Sequence, residues 1–355
     1  MKIQIYILGL FFSFLFQIDS IAQEKKNKEQ KDYQNSTLFN SVKPIDLQLY
    51  IDKKDLLRDV GDDRKYHPAL VRLLDTEKEH TDYTIKLKTR GNFRRNPDNC
   101  NMAPLRFKIP KKIRRGENIF AGQHKLKFVL PCRQNNERFQ EYVIQEYLIY
   151  KIYNLLSDAS YRVRLANIEL VDSLEKDKSL KFTGFFLEET DQMASRLNGK
   201  VLNFKRFHPA NVNKEQMTMM VVFQYLIGNT DWSVDVGHNI KLLFVNNQNV
   251  PFAIPYDFDW SGIVNAAYAK PSEQLNITTV RERTFRGYKR SMEEFEPMVK
   301  LFNEKKEEIY NLYRNCELLS EKSREKTIKY IDEFYEIIND QKKIEKEFIK
   351  NSRKN

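Results

Sequence analysis

Glycine and proline are scarce, at 11 each in 355 residues, which excludes collagen-like and low-complexity architectures. Cysteine is scarcer still. Cys100, Cys132 and Cys316 show no C-x-x-C spacing and have too few neighbouring histidines for structural zinc. No apolar run of membrane length occurs beyond the extreme N-terminus, so a polytopic membrane protein is excluded. An acidic surplus is missing as well: 60 Lys and Arg stand against 49 Asp and Glu, for a net charge of +11. What is present is 41% hydrophobic residues, enough for a core in one large domain or two ordinary ones. The charged fraction of 31% is only modestly above the globular average of about 25%, which describes a folded, basic protein.

Residues 1–22 read as a secretory signal. Lys2 supplies the positive start, Ile7 to Phe16 the apolar stretch, and Ser20-Ile21-Ala22 a small-x-small cleavage site. A retained anchor would need about 20 apolar residues, and this run is shorter. The mature chain is therefore expected to begin near Gln23, exported to the periplasm or beyond, with no transmembrane span. Losing one Lys and one Asp with the signal leaves +11 on the exported protein. In an oxidising compartment Cys100 and Cys132, both at ends of segments that read as neighbouring strands, are the expected disulfide pair, leaving Cys316 unpaired.

Residues 23–43 are polar and without apolar periodicity, as in a disordered leader. From 44 to 135 short apolar runs alternate with turn residues: LQLYI (47–51), ALVRLL (69–74), YTIKLKT (83–89), LRFKI (105–109) and KLKFVL (125–130). These predict one antiparallel sheet. The period then changes to 3.6, placing Phe139, Tyr142, Val143, Glu146, Tyr150 and Tyr153 on one face of a helix over 137–156. Strands at 163–171 and 180–189 come next, then a buried helix at 217–228, a hairpin from 239–245 and 250–260, and helices from 291 to 349 with charged outer faces. This order predicts an α+β, bilobal, protein-kinase-like fold: an antiparallel-sheet N-lobe with one helix (44–190) and a mainly helical C-lobe (191–350).

Gly228-Asn229-Thr230-Asp231-Trp232, His238-Asn239 and Pro255-Tyr256-Asp257-Phe258-Asp259 carry the chemistry. Phosphoryl transfer needs one carboxylate to orient the attacking hydroxyl, and an amide with a second carboxylate to hold magnesium on the nucleotide phosphates. Asp231 fits the first role and Asn239 with Asp257 the second, Asp259 sharing a strand face with Asp257 as a further metal ligand. A turn or N-cap is the alternative role for Asp231. A strand Lys paired with a helix Glu would clamp the phosphates; Lys127 and Glu146 fit, with Lys125 on the same strand face and Lys88 or Lys108 as alternatives. An unpaired Glu146 on an apolar stripe would cost several kcal/mol, so a basic partner is required. Glu188 and Glu189 end the strand that would lead to the interlobe hinge.

The segment 228–262 resembles the catalytic region of atypical kinases of the spore-coat CotH and HipA-like families, in which an N-x-D element precedes an Asn and a metal Asp follows a short strand. Arg90-Gly91-Asn92, before the Lys-bearing LRFKIPKK, resembles the R-G-N segment of CotH-like proteins. The chain is also similar to a group of exported bacterial proteins of unknown function that share T-D-W, P-Y-D-F-D and an R-G-N-F-like segment. These resemblances imply an exported kinase using ATP or another nucleotide with Mg or Mn, acting on a protein or envelope polymer. The alternative is a non-catalytic scaffold for an acidic envelope partner. The dense basic region from Arg90 to Arg115 would grip phosphates or an acidic substrate in a kinase, with a solvated basic face as its other reading. No nucleic-acid-binding pattern is present.

Overall fold

Alternation of buried and outward residues begins at Ile45, in the first strand of the chain. A computed structural model describes residue 33 and residues 36–74, 80–175, 179–246 and 248–353. The proposed signal segment and most of the leader lie outside the described residues. Seven strands, β1 (Ile45–Ile51), β2 (His67–Leu74), β3 (His80–Thr89), β4 (Leu105–Lys108), β5 (Lys125–Val129), β6 (Val163–Asp172) and β7 (Ser179–Leu187), close into a barrel in the order β1-β2-β3-β4-β5-β7-β6. Leu47 and Leu49, Ile85 and Leu87, Leu105 and Phe107, Leu126 and Phe128, and Ile168 and Leu170 fill its interior.

The expected bilobal kinase-like fold with an open antiparallel sheet is therefore not what the chain forms. The sheet closes because β6 pairs with β1 in parallel, from Ile45 opposite Ala166 to Ile51 opposite Asp172. Closure leaves neither strand with an unpaired row of backbone donors and acceptors. Parallel neighbours need a long crossover, and the chain supplies one that includes the helix between β5 and β6. Gly184 allows close packing in the wall: a Cβ there would come within 2.5 Å of the Phe128 ring. The described part of the expected disordered leader is also packed. Leu38 is fully buried against the barrel, and Arg164 donates to the carbonyls of Leu38 and Lys43, both at 2.9 Å.

The helices, in chain order, are α1 (Lys53–Arg58), α2 (Lys111–Arg114), α3 (Glu137–Leu156), α4 (Thr190–Arg196), α5 (Lys214–Ile227), α6 (Met292–Glu304), α7 (Lys306–Arg314), α8 (Glu321–Ile338) and α9 (Gln341–Ile344). Asn136 caps α3 by accepting the Phe139 N–H, and almost every residue from Tyr142 to Tyr153 is buried. The reason is position. Tyr147 and Tyr150 pack on Phe185 of the barrel wall, while Tyr153 and Tyr150 meet Phe223 of α5 and Phe258 on the other side. A second sheet, in the order β10-β9-β8 (Phe252–Pro255, Ile240–Phe244, Lys200–Leu202), contains the expected hairpin. Cys100 and Cys132 are disulfide-bonded, with Cα atoms 4.8 Å apart, and Cys316 is free.

Candidate functional site

The hairpin register brings the polar segments together. Ile240 of β9 stands opposite Pro255 of β10, so the residues just outside the sheet, Asn239 and Tyr256, are neighbours, and the Tyr256 N–H donates to the Asn239 carbonyl at 3.0 Å. Asn239 and Asp257 both adopt left-handed backbone, with φ of 50° and 67°. Such conformations cost of order 1–3 kcal/mol for non-glycine residues and persist where the surroundings over-determine them. At Asp257 the restraint is visible: its N–H donates to the hydroxyl of buried Tyr150 on α3 at 2.9 Å.

Asp231 lies in the turn after α5, which ends at Gly228 in the left-handed C-cap conformation. Its Oδ1 faces His238 Nε2 at 2.8 Å, and its Oδ2 accepts from Asn239 Nδ2 at 3.0 Å, which also donates to the Asp231 carbonyl. A backbone bond from Ser233 N–H to the His238 carbonyl folds the intervening loop back on itself. That is how Asp231 and Asn239 touch despite their separation in sequence. His238, given no role from sequence, is thus in direct contact with Asp231.

Asp257 and Asp259 do not share a strand face as expected. β10 ends at Pro255, and the left-handed turn at Asp257 breaks the alternation, leaving Asp257 exposed and Asp259 buried. Asp259 accepts a hydrogen bond from Tyr268 at 2.9 Å. Burial pushes its carboxyl up to about 7, with Asp257 adding to the rise and Arg94 opposing it. Glu146, almost fully buried on α3, is held well above the ordinary carboxylate range by burial and by the fields of Asp259 and Asp257; Arg94 and Arg90 partly offset them.

The expected Lys127–Glu146 pair does not form. Lys127 lies on the outer barrel face and reaches Glu189 at 3.6 Å, while Arg106 on the adjacent strand reaches the other oxygen of Glu189 at the same distance. Among the described residues Glu146 makes no ion pair; the cations offsetting its charge are Arg94, in the short helix just after the R-G-N segment, and Arg90 within it. The separation arises from register: Lys127 stands opposite Leu187, so its side chain meets the segment just beyond β7. Burial pushes Lys127 down to about 8, with Arg90 and Arg106 acting in the same direction and Glu189 against it. Lys125, one row further out on β5, is exposed.

Arg90 joins the two groups. Burial lowers its guanidinium pKa, and its charged neighbours include Asp257 on one side and Arg106 and Glu189 on the other. Gly91, at φ 89°, turns the chain after Arg90 into the short helix that carries Arg94, whose guanidinium donates to the Leu130 carbonyl. Sequence reasoning names Arg90 and Arg94 only as part of a basic region and Glu189 only as a hinge residue; the pairing of Glu189 with Lys127 and Arg106 follows from strand register, which the sequence does not show.

Among the described residues no group of three or more His, Cys, Asp or Glu side chains is placed to hold a metal ion. An all-protein cage is therefore not the fit. Magnesium shared with substrate phosphates needs only one or two carboxylates, and Asp257 lies close enough to Asp259 to act on its ionisation. No protein-family model matches the chain, and no curated protein matches it.

Proposed function

We propose that the chain is an exported phosphotransferase that moves a phosphoryl group from a Mg- or Mn-bound nucleotide to a hydroxyl of a protein or envelope polymer. The observation that carries this reading is the arrangement of two banks of charge about Arg90: Lys127, Arg106 and Glu189 on one, Asp257, Asp259 and the Asp231–Asn239 pair on the other. The resemblance of 228–262 to atypical kinases supports it too, without requiring their fold. Lys127, still mostly protonated at neutral pH with a pKa near 8, and the two guanidiniums would hold phosphate oxygens. Asp257 and Asp259 would hold the divalent ion, which supplies charge neutralisation at the phosphates when bound. Asp231, fixed by His238 and Asn239, would orient the acceptor hydroxyl.

One observation favours the scaffold alternative: both carboxylate oxygens of Asp231 are already engaged by protein donors. Two substitutions separate the readings. Asp257→Ala should abolish Mg-dependent nucleotide binding, measured calorimetrically. Asp231→Ala should leave binding within about threefold while lowering transfer of labelled phosphate by at least about 100-fold, because an orienting group acts in the transition state. If the wild-type protein binds no nucleotide with either Mg or Mn and labels no acceptor, the phosphotransferase reading fails.

A further inference from the structure

Three adjacent strands carry basic residues in register. Across β3, β4 and β5, Lys86 stands opposite Lys108 and Lys108 opposite Lys125; two residues along, Lys88 stands opposite Arg106 and Arg106 opposite Lys127. The alternating partners Ile85, Leu87, Leu105, Phe107, Leu126 and Phe128 point into the barrel, so all six cations share its outer face. Like charges directly opposite on neighbouring strands destabilise a sheet. Here that arrangement occurs twice, three strands wide. Among the described residues the only carboxylate in ion-pair range of the six is Glu189, which serves Arg106 and Lys127. Lys86, Lys108 and Lys125 are exposed, and Lys88 and Lys108 lie against the ring of Tyr66 at 5.5 and 5.2 Å.

The geometry points to a docking surface on this face for a linear chain of linked phosphates. Neighbouring strands put the cations about 4.8 Å apart in one direction, and the two-residue repeat puts the rows about 6.8 Å apart in the other. An extended acidic peptide presents same-face carboxylates only every 6.8 Å or so, too sparse for three cations within about 10 Å. A phosphate chain carries charge on every unit and has oxygens on all sides, so it meets the exposed row of Lys86, Lys108 and Lys125 and reaches the half-buried Lys88 and Arg106 beside it. Single-stranded nucleic acid would need exposed aromatic faces for its bases, and the Tyr66 ring is already engaged by Lys88 and Lys108. Arg106 and Lys127 of the inner row also belong to the proposed phosphotransferase site, whereas the outer row of Lys86, Lys108 and Lys125 takes no part in it, so variants of the outer row test this surface separately.

The test is calorimetric titration of the full mature chain with short-chain inorganic polyphosphate. Lys86→Gln/Lys108→Gln should weaken binding about tenfold, and Lys326→Gln/Lys329→Gln, which removes the same charge from exposed positions on α8, should leave it unchanged. A second readout needs no variant: bound polyphosphate should protect Lys86 and Lys108 from amine acetylation. Equal losses in both variants, no binding, no protection, or tighter binding of poly-glutamate or a single-stranded oligonucleotide at matched charge would each overturn the assignment.

Discussion

His67 has a carboxylate oxygen on each ring nitrogen, Asp55 at Nδ1 and Asp59 at Nε2, both at 2.8 Å. Burial alone would lower its pKa, but the hydrogen bonds to Asp59 and Asp55 and their charges outweigh burial and raise it. A group whose folded pKa is raised above the unfolded value near 6.5 contributes its stability fully below that value and loses it as pH rises through the folded pKa. Asp59 moves the other way. Burial would raise it, yet the bonds from His67 and the Lys65 N–H lower it, so its share is present above the ordinary Asp value and is lost as pH falls through the lowered one. His67→Gln should therefore cost about 1–2 kcal/mol at pH 5–6 and progressively less above pH 7, read from denaturant unfolding at each pH. A cost independent of pH would show that His67 acts by packing alone. At this scale residue type alone singles out Asp231, Asn239 and Asp257 as candidates, and the fold brings Asp231 and Asn239 into contact. The left-handed turn at Asp257 is not legible, because nothing in P-Y-D-F-D distinguishes a continuing strand from one that ends at the proline.

At the scale of elements the two-residue and 3.6-residue periods locate the strands and α3 well, because each element buries a definite face. They underestimate α3. A helix between two cores is apolar on most sides, and Gln145, Tyr147 and Leu148, which lie off the predicted face, are buried as well. The Cys100–Cys132 pairing was legible from the ends of neighbouring strands, and its consequence is local. The bond ties the loop carrying Arg94 to the segment after β5, where Arg94 donates to Leu130. Closing a loop with a sequence separation of 32 residues stabilises by roughly 3–4 kcal/mol on chain-entropy estimates. Cys100→Ser/Cys132→Ser should lower unfolding free energy by about that amount in denaturant titrations. Because Arg94 opposes the charges of Asp259 and Glu146, the same variant should also weaken nucleotide binding with Mg, if the proposed site is correct. A variant of unchanged stability would mean that the closed loop is equally restricted without its bond.

For the whole molecule the decisive contact is one that periodicity cannot see. Alternation locates β1 and β6 as strands, but it is silent on which strand lies beside which. The parallel match of β1 with β6 turns an expected open sheet into a barrel, with α3 covering β6 and β7 on the outside. Burial on both faces explains why Leu165 and Phe185 pack toward α3 while Ala166 and Phe186 face the barrel interior. The consequence can be measured by amide hydrogen exchange. In an open sheet with β1 at its edge, every second N–H from Ile45 to Ile51 would lack a ladder partner and exchange quickly. In the closed barrel β2 takes one set and β6 the other, so protection should be comparable at successive positions of β1 and should match that of β2. Alternating fast and slow exchange along β1 would place it at an edge and reopen the barrel. Uniform protection would instead fix the outer face of β3–β4–β5 as part of a wall without ends, on which the six cations keep their register because no strand can slip without breaking the ring.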